Sequence, residues 1–348
     1  MIGMVALLLY YITEYVVLFL SRTRELYADR FSGEITQDPN SLASALVKIA
    51  YGLAGHRPDS KEEESGTHET VRAMGIFDPV GAVGLVASSL ARAGAPSKEN
   101  ILGAMQWDLW NPWAKYYELQ STHPLPAHRL ELLGRQAAAY GQTPFVNFDL
   151  EQPESFWDEF LEDLAMLWLP WLLAGGAFVW GARNGLTDIR LWAAAAAGWA
   201  IGNLCRTWFS YRTDLYPDMT VSALLKKVKV SRVRGVPSAL KGNVIGRGVP
   251  GYIISEDLVL QDATGFIFLD YKQPLALFQW IFALTRVPAL IGREVTVSGW
   301  YRRGPVPYLE LRTLACDGKT STCYGLEGRY AFALLVLAGS AAALLGLI

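Results

Sequence analysis

The sequence is poor in the residues that mark several common kinds of site. It has only three cysteines, Cys205, Cys316 and Cys323, and no two of them form a CxxC pair, which argues against paired-thiol metal and redox motifs. Lys and Arg number 31 and Asp and Glu number 33, so the formal net charge is −2. The chain therefore lacks an overall basic character for contacting phosphates, and no nucleic-acid partner is expected.

Long hydrophobic runs, by contrast, are abundant. Hydrophobic residues make up 51% of the chain and the mean hydropathy is +0.19, as expected when membrane spans alternate with polar domains. The apolar runs predict a transmembrane helix over residues 1–20, a transmembrane helical hairpin over residues 164–208 and a C-terminal transmembrane helix over residues 329–348. The chain is therefore predicted to be an integral membrane protein with a lipid bilayer as a partner.

The distribution of Lys and Arg predicts the orientation of these spans, because cytoplasmic segments near span ends are enriched in both residues. The basic residues that follow the first and third apolar runs are Arg22, Arg24, Arg30, Arg206, Arg212, Lys226 and Lys227. Arg183 and Arg190, in the hairpin link, are a weaker opposing signal. The polar parts are therefore expected to face the cytoplasm, in a bacterial or archaeal cytoplasmic membrane.

The two polar parts differ in hydrophobic period. Residues 21–163 show helical spacing, with a helix start at Asp38–Pro39 and another after Pro126. Residues 220–325 alternate in strand fashion around one apolar helical run, and the order of strands, helix and strands is typical of an OB-like β-barrel. The predicted fold class is an α+β membrane protein with a helical part and a small OB-like barrel.

The residues of the predicted barrel do not determine which ligand it binds. OB barrels bind nucleic acids or sugars, but a structural or partner-binding barrel is the favoured alternative here. The "WYRRGPVPY" turn, with Arg302 and Arg303, has the chemistry to contact lipid phosphates, and the apolar run is suited to lying against the bilayer. Cys316 and Cys323 flank a short loop, either as a disulfide or as two free thiols, and a cytoplasmic location disfavours the disulfide.

The segment "SRTRELYADR" directly follows the first apolar run and carries two carboxylates, Glu25 and Asp29. Residues four apart share a helix face, so both side chains can reach the same site. Alone, such a pair is common at a solvated helix end, and metal binding is the less frequent interpretation.

The surroundings of this pair are more specific. The segment contains S-R-x-x-E-x-x-A-D from Ser21 to Asp29, then the Asp38–Pro39 turn and an L-x-x-A-L-x-K-I pattern, and a later T-H-P block is followed by Arg129. These two blocks, in this order, resemble the HtpX-like and CAAX-prenyl-protease-like membrane zinc metallopeptidases. The resemblance covers roughly the first 140 residues, since the hairpin and the barrel lie outside the family's core pattern.

The resemblance implies a role for each matching residue. Glu25 would be one of three protein ligands of a catalytic Zn²⁺, and Asp29 would hold a zinc-bound histidine in its tautomer. His123, in the T-H-P block, would help to stabilise the oxyanion of the tetrahedral intermediate. Arg129 would pair with an acid at the edge of the site.

The chain departs from the family in one essential feature. The other two zinc ligands and the general base of the family come from an HExxH helix, but the histidines here are His56, His68, His123 and His128, and none begins this motif. His68 opens "HETVR", where Arg72 takes the place of the second histidine. His56 and His68 lie in a charged stretch and are expected to be solvated rather than to replace the missing ligands.

These features predict a function with two alternatives. The first is the C-terminal part of an integral-membrane zinc metalloendopeptidase that hydrolyses protein or peptide substrates, membrane-associated or misfolded. On its own this part would be inactive, because two Zn²⁺ ligands are not in the chain. A native homologue that binds no metal is the other form of this first alternative. The second is a non-catalytic membrane scaffold whose OB-like domain binds a partner protein or lipid headgroups.

Overall fold

The computed structural model describes residues 2–55, 98–148, 151–247 and 257–347. His56, His68 and the apolar segment 77–90 lie outside these ranges. The described helices are α1 (Ile2–Thr36), α2 (Pro39–Gly55), α3 (Lys98–Trp110), α4 (Pro112–Leu119), α5 (Pro126–Ala139), α6 (Trp157–Arg183), α7 (Asp188–Ser210), α8 (Val221–Leu225), α9 (Ala276–Thr285), α10 (Val287–Leu290) and α11 (Gly325–Leu344). The described strands are β1 (Val236–Arg247), β2 (Leu258–Gln261), β3 (Phe266–Asp270), β4 (Glu294–Arg303), β5 (Pro307–Cys316) and β6 (Lys319–Thr322).

Helix α1 runs without interruption through the predicted boundary between the apolar run and the polar segment after it. Ser21 to Ser32 contains neither Gly nor Pro, so nothing in this stretch ends the helical hydrogen bonding. The helix ends at Thr36, and Gln37 adopts a positive φ of 53°. The side chain of Asp38 then accepts the Ser41 backbone N–H at 3.2 Å, which confirms the predicted start of α2.

Three of the described helices are long and apolar enough to cross a membrane, namely Gly3–Thr36, Trp157–Arg183 and Gly325–Leu344. Helix α7, which contains the predicted third span, is not in this set, since polar residues such as Arg190, Asn203 and Arg206 interrupt its apolar run. It packs against both α6 and α11 and buries Ala193, Ala194 and Ala200. The predicted hairpin is therefore present as two antiparallel helices, and α7 packs mainly against protein.

Two glycines allow α6 and α7 to approach each other closely. A Cβ atom added at Gly198 would lie 2.4 Å from the Leu173 carbonyl oxygen, and one added at Gly202 would lie 2.5 Å from the Pro170 Cα. Small residues four apart are the usual means of close backbone contact between helices in a membrane.

We expect Gly198→Leu to separate these helices. The clash is with backbone rather than with a movable side chain, so the loss of stability should be at least the ~1–3 kcal/mol of ordinary overpacking. Thermal unfolding in detergent measures the loss. The matched control is Gly176→Leu on α6, where an added Cβ meets nothing within 4 Å. Equal effects of both substitutions would contradict this account of the interface.

The six strands form one sheet in the order β3-β2-β1-β4-β5-β6, and β3 also pairs in parallel with β5. This extra pairing closes β1 to β5 into a five-stranded barrel, and α9 and α10 connect β3 to β4. The barrel interior is filled by alternate apolar residues of the strands. Among its buried residues are Leu240, Val244, Leu260, Leu269, Val297 and Leu309.

The barrel differs from the sequence expectation in two places. Strand β6, which was not predicted, pairs with β5 through a tight turn at Asp317 and Gly318, whose φ angles are 49° and 75°. An Asp-Gly pair is a common hairpin signal. Arg302 and Arg303 belong to the end of β4 and are each only 2% exposed, so they do not form the lipid-facing turn that was predicted. Cys316 and Cys323 are free thiols.

Candidate active site

The candidate site forms where α1 meets the loop between α4 and α5. Arg22, on α1, is buried and donates to the carbonyl oxygens of Glu118 and Ser121, both at 2.7 Å. The Glu118 carbonyl lies in the last turn of α4 and the Ser121 carbonyl in the loop just after it, where backbone acceptors have few intrahelical partners. Arg22 therefore ties the loop that follows α4 to the face of α1 that carries Glu25 and Asp29.

This loop places His123 directly against Glu25. The His123 Nδ1 atom contacts the Glu25 Oε1 atom, and both side chains are partly buried. The His123 backbone N–H also donates to the Ser121 hydroxyl at 3.1 Å, which helps to fix the loop. Two residues that are 98 positions apart in the sequence thus share one site.

Arg129 connects the two carboxylates of α1. Its Nε and Nη2 atoms donate to the two oxygens of Asp29, each at 2.7 Å, and its Nη1 atom lies 3.4 Å from Glu25 Oε2. Arg129 is 6% exposed and Asp29 is 4% exposed. A planar guanidinium that meets both oxygens of a buried carboxylate is a strong and directional pair. Arg129 does pair with an acid of this site, and that acid is Asp29.

A second ion pair, between Glu118 and His128, supports the same loop. Glu118 Oε1 accepts the Leu125 backbone N–H at 3.0 Å and lies 3.1 Å from His128 Nδ1. Burial acts to raise the pKa of Glu118, but the hydrogen bonds from His128 and Leu125 outweigh it and lower that pKa. Burial likewise opposes charge on His128, yet the Glu118 carboxylate raises the His128 pKa above its usual value.

The Glu118–His128 pair predicts that the stability of the folded protein depends on pH. The contribution of His128 to the stability of the folded state is fully present below its unfolded pKa of about 6.5. It is lost as the pH rises through the pKa of His128 in the folded protein, which is raised. The contribution of Glu118 is present above its unfolded pKa of about 4.3 and is lost as pH falls through the lowered folded pKa. We therefore expect His128→Gln to lower the free energy of unfolding more at pH 6 than at pH 9, by about 1.5 kcal/mol at the lower pH, with a correspondingly larger drop in the thermal midpoint. An equal loss at both pH values would contradict a charged pair.

The described residues do not by themselves form a zinc site. Within the described ranges there is no group of three or more His, Cys, Asp or Glu side chains able to hold a metal ion. Glu25 and His123 offer potential donors that contact each other, while both oxygens of Asp29 accept hydrogen bonds from Arg129. A tetrahedral protein zinc site needs more donors than this part of the chain supplies.

The structure thus brings Glu25, Asp29, His123 and Arg129 together. Sequence reasoning missed two features that hold the loop between α4 and α5 in place. They are the hydrogen bonds of Arg22 to the loop carbonyls and the Glu118–His128 pair. Arg22 belongs to the S-R-x-x-E pattern, so the motif already indicated that this residue lies near the site. No motif links Glu118 to His128, because their meeting depends on the turn between α4 and α5.

Comparisons with known proteins identify the class of this region. Residues 1–137 match the sequence profile described as Peptidase family M48. A Protease HtpX homolog of Methanothermobacter thermautotrophicus is 50% identical over 54 residues, which is 16% of this chain and 21% of that protein. A Protease HtpX homolog of Bifidobacterium longum is 41% identical over 87 residues, which is 25% of this chain and 26% of that protein. No solved structure gives a significant match.

Residues 1–137 are therefore similar to peptidases of family M48. More particularly, the chain is related to the HtpX-like membrane metallopeptidases, and the predicted resemblance is confirmed. The match covers about a quarter or less of the length of the curated relatives.

Proposed function

We propose that the chain is the C-terminal portion of an integral-membrane zinc metalloendopeptidase and is inactive by itself because HExxH is absent. The reaction of the whole enzyme is hydrolysis of peptide bonds in membrane-associated or misfolded proteins. The observation that carries this proposal is the contact between Glu25 and His123, made by two distant motifs inside the region that matches family M48.

Each site residue has a part in this proposal. Glu25 offers a carboxylate to Zn²⁺, whose other two protein ligands come from outside the chain; the bound metal would activate a water molecule. Arg22 and Ser121 hold the loop that carries His123 against Glu25, so the His123 imidazole would be available to stabilise an oxyanion. Arg129 orients Asp29 through hydrogen bonds to both of its oxygens, which leaves the acid's remaining lone pairs for a metal-bound histidine.

The membrane setting also enters as a proposal. The Lys and Arg distribution supports placing the polar parts, including the candidate site, in the cytoplasm. The barrel's strand pairing and the helices between β3 and β4 support an OB-like assignment. Helix α9 begins beside the start of α11, and its apolar side chains suit contact with the bilayer surface. The exposed ones are Leu277, Phe278, Trp280, Ile281 and Leu284.

Proteolysis of an unfolded protein substrate tests the proposal. The 348-residue chain should show no zinc-dependent cleavage, whereas a chain extended upstream to include an HExxH helix should cleave the substrate and lose this activity on chelation. His123→Gln in the extended chain should lower kcat by about 10²–10³-fold, the usual cost of one oxyanion-stabilising donor. Chelator-sensitive cleavage by the 348-residue chain would overturn the proposal.

A non-catalytic membrane scaffold is the second candidate, and the lack of a complete ligand set among the described residues favours it. In that case the barrel binds a partner protein or lipid headgroups. The extended chain would then contain no stoichiometric zinc and would not cleave the substrate under any metal condition.

A further inference from the structure

A cavity of about 490 Å³ lies where the helices meet the barrel. Residues of α4, α6, α7, α11, β4 and β5 line it, together with loop residues on either side of the barrel. Its lining contains five cationic side chains and a single carboxylate. These are Arg206, Arg232, Lys272, Arg302, Arg329 and Glu310.

The carboxylate of this cavity is already satisfied by the protein. Glu310 accepts Arg302 Nε at 2.6 Å and the Tyr211 hydroxyl at 2.5 Å, and Arg329 Nη2 lies 3.7 Å away. Lys272 is paired with Asp270 on β3. The carboxylates of Glu310 and Asp270 are therefore already paired with Arg302, Arg329 and Lys272.

Two arginines of the cavity have no carboxylate partner among the residues that the structure describes. In the described part of the chain, no Asp or Glu oxygen lies within 4.0 Å of Arg206 or of Arg232. The guanidinium of Arg232 faces the hydroxyls of Tyr117 and Tyr308, which are neutral partners. Like charges gathered in a partly desolvated space repel one another unless an anion compensates them, so the cavity has the electrostatics of an anion site.

The opposite wall of the cavity is apolar and belongs to the membrane-associated helices. It contains Leu167 of α6, Trp199 of α7 and Phe332 of α11, and the rings of Trp199 and Phe332 meet edge to face at 6.1 Å. Arg206 lies two turns after Trp199 on the same helix. The cavity is thus basic near the barrel, including the barrel-side ends of α7 and α11 with Arg206 and Arg329, and apolar further along the helices, which is the polarity of a phospholipid at a membrane interface.

We propose that this cavity binds the phosphate headgroup of an anionic phospholipid, with Arg206 and Arg232 contacting the phosphate and the acyl chain lying along Trp199 and Phe332. Arginine is suited to this role because its planar donors match phosphate oxygens in pairs. The site is independent of zinc and of the HExxH helix, so it stands whether or not the peptidase proposal holds.

Binding of fluorescent phosphatidylglycerol to the whole chain in detergent tests the proposal. Unlabelled phosphatidylglycerol should displace the probe, whereas phosphatidylcholine and inorganic phosphate should compete at least tenfold less well. The double variant Arg206→Gln/Arg232→Gln should bind about tenfold or more weakly, since it loses hydrogen bonds to a charged group. Arg206→Lys/Arg232→Lys keeps the charges and should retain most of the binding.

The matched control is Arg183→Gln/Arg212→Gln, which removes the same charge from two exposed arginines that do not line the cavity. It should leave binding unchanged. Equal weakening by both double variants would overturn the proposal in favour of general charge attraction. Competition by inorganic phosphate as strong as that by the lipid would overturn the lipid as occupant, and unaltered binding to Arg206→Gln/Arg232→Gln would overturn the site itself.

Discussion

Replacing Arg129 by methionine should destabilise the helical part of this protein by about 3–5 kcal/mol, the usual result of removing one partner of a buried ion pair. Asp29 would be left as a buried carboxylate without its two donors at 2.7 Å, and Glu25 would lose its neighbour at 3.4 Å. Methionine keeps most of the aliphatic volume, so the effect reports the lost charge. Hydrogen exchange over residues 121–139, together with thermal unfolding in detergent, measures it.

Two variants control this experiment. Arg135→Met removes an arginine from the same helix, but Arg135 is 66% exposed and its partner Glu131 is one turn away, so the loss should be about 0.3–0.5 kcal/mol. Arg129→Met/Asp29→Asn removes both charges of the buried pair and should recover much of the stability. If the double variant were no more stable than Arg129→Met, an uncompensated carboxylate would not be the cause.

The second large effect is expected in the barrel. Arg302→Met should cost about 3–5 kcal/mol, because it leaves the buried Glu310 without its main partner. It also removes the donors to the carbonyl oxygens of Arg232 and Val233, at 3.0 and 3.1 Å. These carbonyls lie just before β1, so the barrel edge facing the helices should exchange its amide hydrogens faster.

A surface arginine of the same barrel provides the control. Arg293 lies 3.7 Å from Asp317, and the two side chains are 63% and 72% exposed, so Arg293→Met should change the thermal midpoint hardly at all. The variant Arg302→Met/Glu310→Gln retains an acceptor for Tyr211 while removing the charge, and we expect it to be more stable than Arg302→Met. A loss for Arg293→Met as large as for Arg302→Met would contradict the dependence on burial.

The local features of this fold were predictable from the sequence because they depend on neighbouring residues. Asp38–Pro39 specifies the start of α2, and Pro126 specifies the first position of α5. The four-residue spacing of Glu25 and Asp29 places both on one face of α1. Helix α1 continues through the predicted domain boundary at Ser21, because the composition changes there but no Gly or Pro interrupts the helix.

The features that sequence reasoning missed depend on distant contacts. Arg303 reaches Asp108 at 3.2 Å across 195 positions, and this pairing buries an arginine that a turn would have exposed. Periodicity indicates which face of an element is apolar, but it does not indicate which charged side chains from separate elements will meet. The basic cavity could not be predicted for the same reason, since Arg206 and Arg232 lie on different elements and share no motif.

The zinc content of a chain extended upstream through an HExxH helix tests the central claim most directly. We predict about one zinc per chain, falling well below half in Glu25→Ala. The same content should persist in Glu34→Ala, which removes an exposed carboxylate of α1 that pairs with Arg30. If Glu25→Ala kept the full zinc content while remaining folded, Glu25 would not be a ligand and the metallopeptidase account of this site would be wrong.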